Sequence, residues 1–270
     1  MNRKQLYSTR PIRDLKDMLN QSVALFGNRP AFVKKNPDGS MSEITYNVFG
    51  NHVKALGTAL LNIGLKGKPI AVIGENRYEW CVSYLAVVNG TGVVVPLDKE
   101  LPENEIASLL DRSDSNAVFC SGEYLDVLLR LKPGLPKLKK IICFDLAKSE
   151  NDEVLSFSEL TGRGKELISN GDNSFVNAAI DNEAMSMLIF TSGTTEQSKG
   201  VILYALVAKG IYAKIVEEEP VRIQTEATQL INSTTEIQEE KPAGDWLTIL
   251  IVIVFVILIL SLVILFYVIS

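Results

Sequence analysis

Residues 70–120 read IAVIGENRYEWCVSYLAVVNGTGVVVPLDKELPENEIASLLDRSDSNAVFC, and this stretch decides the fold. Ile70 to Ile73 is a short run rich in β-branched residues, with no polar alternation, as a strand buried on both faces requires. Asn76 is placed to cap a helix that runs to about Val88. Val93 to Val95 is a second buried strand. Pro102 to Ser113 follows as a helix with proline near its start, where a missing N–H costs nothing. Ala117 to Cys120 is a third strand. Strand, helix, strand, helix, strand in this rhythm implies a mostly parallel sheet with helices on both faces.

The pattern extends both ways. Upstream, Tyr46 to Gly64 has apolar residues at Val48, Phe49, Val53, Leu56, Ala59, Leu60 and Ile63, a helical spacing closed by glycine. Before it, Ala31–Val33 and Glu43–Thr45 flank the turn cluster Asn36-Pro37-Asp38-Gly39, which reads as a hairpin. Downstream come a helix from Glu123 to Leu131 and strands at Ile141–Phe144, Met185–Phe190 and Val201–Leu203. The segment Tyr204 to Val216 has helical character. About 200 residues of this kind suffice to bury a core.

The chain closes differently. Trp246 to Ile269, WLTILIVIVFVILILSLVILFYVI, is 24 residues without a charge, amide, histidine, proline or glycine. As a helix it would be about 36 Å long, enough for a bilayer core of about 30 Å. A core helix is the alternative, but the run has no polar face. Trp246 and Tyr267 sit at the ends, where aromatic residues favour the membrane interface. Met1 to Gln21 is broken by seven charges and holds no apolar leader segment. The expected topology is therefore a single-pass C-terminal membrane anchor with a cytoplasmic N-terminal head. Three zones follow: a head over 1–203, an acidic linker over 204–245 and the span over 246–269.

The formal net charge is −5, and Glu217 to Lys241 alone accounts for that sum. The head is near neutral and presents no basic field for nucleic acid. Cys81, Cys120 and Cys143 have no metal-ligand spacing and lie in apolar contexts, so buried reduced thiols are expected. His52 is expected on a solvated helix face, Asp98, Glu100 and Glu103 in a solvated loop and helix start, and Trp80 in the core.

The stretch with chemical content is Thr191-Ser192-Gly193-Thr194-Thr195-Glu196-Gln197-Ser198-Lys199-Gly200, set between two apolar runs. Hydroxyls and backbone N–H groups in such a loop donate to phosphate oxygens, and Lys199 adds a mobile positive charge. The spacing is not that of a Walker A loop. On composition alone such a loop is more often a simple polar turn than a phosphate site.

This loop resembles the phosphate loop of the AMP-forming adenylate synthetases, roughly T-S-G-T-T-G-x-P-K-G. Further matches stand upstream in order: Thr45-Tyr46, Leu56-Gly57, Ile70 to Trp80, Tyr84 to Pro96 and Leu101 to Ile106 resemble bacterial long-chain acyl-CoA synthetases of that superfamily. The resemblance covers nearly all of residues 10–203 and stops after Leu203. It implies the N-terminal domain fold of those enzymes. It also implies ATP, Mg2+ and CoA as cofactors or co-substrates, a fatty acid as substrate, and Thr191, Ser192, Gly193, Thr194, Thr195, Lys199 and Gly200 as phosphate contacts.

Two departures bear on activity. Glu196 stands where the family has glycine, adding a Cβ and a negative charge beside incoming phosphate. Ser198 stands in place of proline. Neither an aromatic-Gly-x-Thr-Glu segment nor a Thr-Gly-Asp segment occurs in the 270 residues, and no catalytic lysine follows the loop's own. The expectation is a membrane-anchored, truncated homologue of a fatty acid–CoA ligase that is not competent alone, with no catalytic residue assigned. The alternatives are an active or partner-complemented ligase, a non-enzymatic tail-anchored interaction protein, and a fusion or frameshift product. A domain cut within its sheet is expected to expose strand edges and be only marginally stable.

Overall fold

A computed structural model describes residues 10–36, 38–191, 199–204 and 213–215. The elements in chain order are α1 (Leu15–Phe26), β1 (Pro30–Lys35), β2 (Met41–Thr45), α2 (Tyr46–Asn62), β3 (Pro69–Ile73), α3 (Tyr78–Ala86), β4 (Val93–Pro96), α4 (Glu103–Arg112), β5 (Ala117–Cys120), α5 (Gly122–Leu131), β6 (Lys140–Cys143), β7 (Val154–Ser156), α6 (Phe157–Ser169), β8 (Met185–Thr191), β9 (Lys199–Tyr204) and β10 (Ala213–Ile215).

The main sheet has the order β10-β9-β8-β4-β3-β5-β6-β7. From β8 to β7 all neighbours are parallel; β9 and β10 add antiparallel pairs at one side. The mostly parallel α/β sheet read from the sequence is what the chain forms. β3 sits at the centre with every residue buried, as its unbroken apolar run requires. Its side chains alternate between two cores. Ile70 and Val72 join a cluster with Leu19 of α1, Leu56 and Leu60 of α2, Val82 of α3 and Leu160 of α6. Ala71 and Ile73 face the other way, toward Ile106 and Leu109 of α4 and Leu128 of α5.

Local chemistry sets the helix ends. The Thr45 hydroxyl accepts from the Val48 N–H at 3.3 Å and starts α2. At the far end Gly64 takes φ +83, and the Leu65 N–H returns to the Leu60 carbonyl at 3.1 Å, closing the last turn. α6 approaches α2 so closely that a Cβ on Gly164 would lie 1.8 Å from the Ala55 carbonyl oxygen, so only glycine fits there.

Three readings need correction. Asn76 does not cap α3: Arg77 occupies the N-cap and makes no capping bond with its side chain. Glu75 and Arg77 are drawn into ion pairs instead, which fixes the turn one residue later. The helical character of Tyr204–Val216 gives way at Ala213–Ile215 to β10, paired antiparallel with β9. An edge offering unpaired N–H and C=O groups outweighs a weak local helical preference. His52 is half-buried rather than solvated: its Nδ1 lies 3.0 Å from the Tyr78 hydroxyl. The anchor expected at Trp246–Ile269 and most of the acidic linker lie outside the described residues. Among the described residues no helix is long and apolar enough to cross a membrane.

Candidate functional site

In a parallel sheet the turns that follow the strands gather at one edge, where α/β folds bind their ligands. Here that edge collects the turns after β3, β4, β5 and β6, and the paired ends of β8 and β9 at Thr191 and Lys199. In the β8–β9 hairpin the register pairs Thr191 with Lys199 and Phe190 with Gly200. The two ends of the hydroxyl-rich loop are therefore held directly opposite each other by backbone pairing. Gly200 is buried, and a Cβ there would stand 3.3 Å from Leu188 and 3.5 Å from Phe190, a tight fit. Of the seven expected phosphate contacts, the backbone of Thr191, Lys199 and Gly200 is described. Ser192, Gly193, Thr194 and Thr195, with Glu196, lie outside the described residues.

Beside this hairpin the same edge carries a charged cluster that sequence reasoning missed. The Arg77 guanidinium donates to Glu79 at 2.7 Å, to Glu75 at 3.0 Å and to Asp145 at 2.8 and 3.0 Å. It also lies 5.4 Å from the Phe144 ring centre. The Ser121 hydroxyl donates to Glu75, and the Gly122 N–H donates to Asp145 at 2.8 Å. Burial opposes the Asp145 carboxylate, but the Gly122 amide and Arg77 outweigh it and hold its pKa below the usual range. Burial likewise opposes ionised Glu75, and Ser121 and Arg77 overcome it. Arg77, penalised by burial, is held the more firmly protonated by Glu79 and Asp145.

The cluster ties together the turns after β3, β5 and β6. Gly74 makes the approach possible: its φ is +146, and a Cβ would sit 2.2 Å from the Ser121 hydroxyl. Three carboxylates around one guanidinium leave a negative surplus, so this group is a brace and not a phosphate cradle. The signal was in the Gly74-Glu75-Asn76-Arg77 turn, but its partners lie up to 68 residues away. Just beneath, Cys120 and Cys143 stand in register on β5 and β6, both buried and free. The two thiols perturb one another: Cys143 and burial push the Cys120 thiol up, while Cys120 draws Cys143 down. Trp80 is half-buried and stacks on Tyr84 at 5.2 Å. Among the described residues no three His, Cys, Asp or Glu side chains gather as a metal site.

Comparison with known proteins agrees with this architecture. Fatty acyl-CoA synthetase B of Dictyostelium discoideum is 28% identical over 206 residues, which is 71% of this chain and 30% of that protein. Long-chain-fatty-acid–CoA ligase 5 of Rattus norvegicus is 28% identical over 213 residues, covering 73% of this chain and 30% of the relative. The chain thus spans about 30% of the length of these curated relatives, and corresponds to their N-terminal part. Among solved structures, the A-PCP didomain of the carboxylic acid reductase from Segniliparus rugosus in complex with AMP superimposes with a TM-score of 0.60 at 18% identity, over 73% of this chain and 32% of that one. The anthranilate CoA ligase AuaEII in complex with anthranoyl-AMP gives 0.60 at 22% identity, over 73% and 36%. These two likenesses establish the fold. The family model for AMP-binding enzymes matches residues 19–220, running past Leu203, where the resemblance was expected to stop. The chain belongs to the AMP-binding enzyme family.

Proposed function

We propose that this chain is the phosphate-gripping portion of a long-chain fatty acid–CoA ligase of the AMP-forming type. The observation that carries the reading is the β8–β9 hairpin, whose register sets Thr191 across from Lys199 at the carboxyl edge of the sheet. Backbone N–H groups and hydroxyls from Thr191 to Thr195 would donate to the phosphate oxygens of ATP, and Lys199 would neutralise charge there. In the full reaction a fatty-acid carboxylate attacks the α-phosphate, pyrophosphate leaves, and the CoA thiol then takes the acyl group. Mg2+ would arrive with the nucleotide, its ligands largely phosphate oxygens and water.

Adenylation needs groups for adenine, ribose and the transferring phosphoryl centre that the 270 residues do not contain. These residues are therefore proposed to bind nucleotide phosphate and to need groups outside them to complete the reaction. Trp246–Ile269, uncharged and long enough to span a bilayer, is proposed to hold the head at a membrane, on the cytoplasmic side.

The test is ATP binding and fatty-acid-dependent ATP–pyrophosphate exchange on the full chain, beside Lys199→Ala. Expected are measurable ATP affinity, a tenfold or greater loss in Lys199→Ala, since a charge-assisted contact is worth about 1.5–3 kcal/mol, and exchange no higher than in the variant. Equal ATP binding by both proteins overturns the phosphate grip. Strong exchange by the chain alone overturns the incompetence. Carbonate extraction of expressing cells tests the anchor: release of the chain into the supernatant overturns it.

A further inference from the structure

The β1–β2 hairpin has two unlike faces. On one, Phe32 packs edge-on against Phe49 and Tyr78, at 5.0 and 5.1 Å between ring centres, and joins the core. The other carries Val33 and Lys35 of β1 with Glu43 and Met41 of β2. Residues two apart on a strand share a face, as do residues directly paired across it. All four are exposed, Val33 at 54% and Met41 at 62%. A single exposed apolar side chain is ordinary, but two on one small face make a patch. The hairpin turn is held by its own bonds: the Asn36 N–H donates to the Ser40 carbonyl at 2.8 Å, and the Ser40 N–H donates to the Asp38 carboxylate at 2.9 Å.

The register sets the four residues as a near square, about 5 Å across the strands and about 7 Å along them. Val33 lies opposite Glu43, and Lys35 opposite Met41. The two apolar residues therefore occupy one diagonal and the two charges the other. Neither Lys35 nor Glu43 forms an ion pair among the described residues. A face with one cation and one anion has no net charge to draw it to an anionic membrane or a nucleic acid. Its pattern is matched to itself.

We infer that this face binds the same face of a second copy of the chain, about a two-fold axis along the Val33–Met41 diagonal. That rotation lays Val33 on its own counterpart, Met41 on its counterpart, and each Lys35 over the Glu43 of the other copy. It crosses the hairpins at near right angles, one of the two ways in which sheets pack face to face. Other two-fold axes in the plane of the face fail. Along the strands, Val33 meets Glu43 and Lys35 meets Met41. Across them, Val33 meets Lys35 and Met41 meets Glu43. Along the charged diagonal, like charges coincide. One self-complementary patch is what a closed two-fold dimer needs. Four side chains from each copy bury less than the roughly 1,000 Å2 of a lasting interface, so the dimer is weak and concentration-dependent. The inference uses neither the phosphate loop nor the membrane anchor.

The experiment is cross-linking of the full chain in detergent by a short bismaleimide. Val33→Cys and Met41→Cys are compared with Leu129→Cys, exposed on α5, and with the unaltered chain, whose Cys81, Cys120 and Cys143 give the background. Surface substitutions of this kind leave the fold intact. Dimer yield at Val33→Cys and Met41→Cys should exceed that at Leu129→Cys roughly tenfold, because pairing raises the effective concentration of the two thiols. In Met41→Cys, adding Lys35→Glu sets carboxylate over carboxylate and should cut the yield about fivefold. Adding Glu43→Lys as well restores the opposite charges and should return the yield. Equal yield at Leu129→Cys, as association through Trp246–Ile269 would give, overturns the site. So does a yield that Lys35→Glu leaves unchanged, or that the double exchange fails to restore. On phosphatidylcholine vesicles loaded too thinly for copies to meet, Met41→Cys should react with a water-soluble maleimide as fast as in detergent. Slower reaction there assigns the face to lipid and overturns the second copy.

Discussion

The two ends of the parallel strands are finished in opposite ways. At the carboxyl edge, Arg77 binds Glu75, Glu79 and Asp145, Ser121 closes on Glu75, and Gly122 closes on Asp145. At the amino edge, Asn89 is more deeply buried than any of these, and its side-chain amide has no hydrogen-bond partner among the described residues. Saturated polar groups hold a scaffold still. An unsaturated one costs stability. The contrast also separates two roles at the carboxyl edge, where the ion cluster fastens the turns and the β8–β9 hairpin presents the loop.

The comparison presupposes one cooperative core between the two edges, and the strongest perturbation attacks that. Phe119 is fully buried in β5. Phe119→Ala should lower stability by about 3–5 kcal/mol and loosen both edges together. Denaturant unfolding followed by probes at each edge checks this, and separate transitions would show that the edges are independent units.

Arg77→Met comes next. It removes the guanidinium that bonds to three carboxylates, and a loss of about 1–2 kcal/mol is expected. The figure is kept low because Glu75 and Asp145 are each 45% exposed. The pH dependence gives a sharper reading. Asp145 and Glu75 have folded pKa values below their unfolded ones, so their contribution is present above the unfolded pKa and is lost as pH falls through the folded one. The unaltered chain should lose stability below about pH 4. Arg77→Met should lose less over that window, so its deficit shrinks with acidity. A deficit constant with pH would mean that Arg77 acts by packing alone.

The smallest effect has the opposite sign. Asn89→Leu replaces an unpaired amide with an apolar group of similar volume, and a gain of about 1 kcal/mol is expected. A loss of stability would mean that the amide is already satisfied. Ser121→Ala at the other edge, by contrast, should cost about 1 kcal/mol, since it strips a bond from Glu75.

Much of the scaffold was legible because its signals are local. The apolar run of β3, the hairpin turn at Asn36–Gly39 and the glycine stop of α2 each act within a few residues. The parts missed had weak local signals. β7 and β10 are three residues long. α6 contains Gly162 and Gly164, which depress helical preference, and Gly164 is there to let α2 approach. α1 has apolar residues at Leu15, Met18, Leu19 and Val23, a helical spacing masked by the charges that interrupt it at Lys16 and Asp17. His52 was misplaced because the Tyr78 partner is on another helix.

The sequence by itself determined the strands and helices from β1 to β6, the uncharged segment Trp246–Ile269, and the loop from Thr191 to Gly200. Each is written in neighbouring residues. Only the tertiary structure decided that Arg77 meets Asp145, that Thr191 pairs in register with Lys199, and that Asn89 is buried between α3 and β4. Strand order places β5 beside β3 and β8 beside β4, against their order along the chain. Which polar groups find partners, and which are left waiting, depends on that arrangement and not on spacing in the sequence.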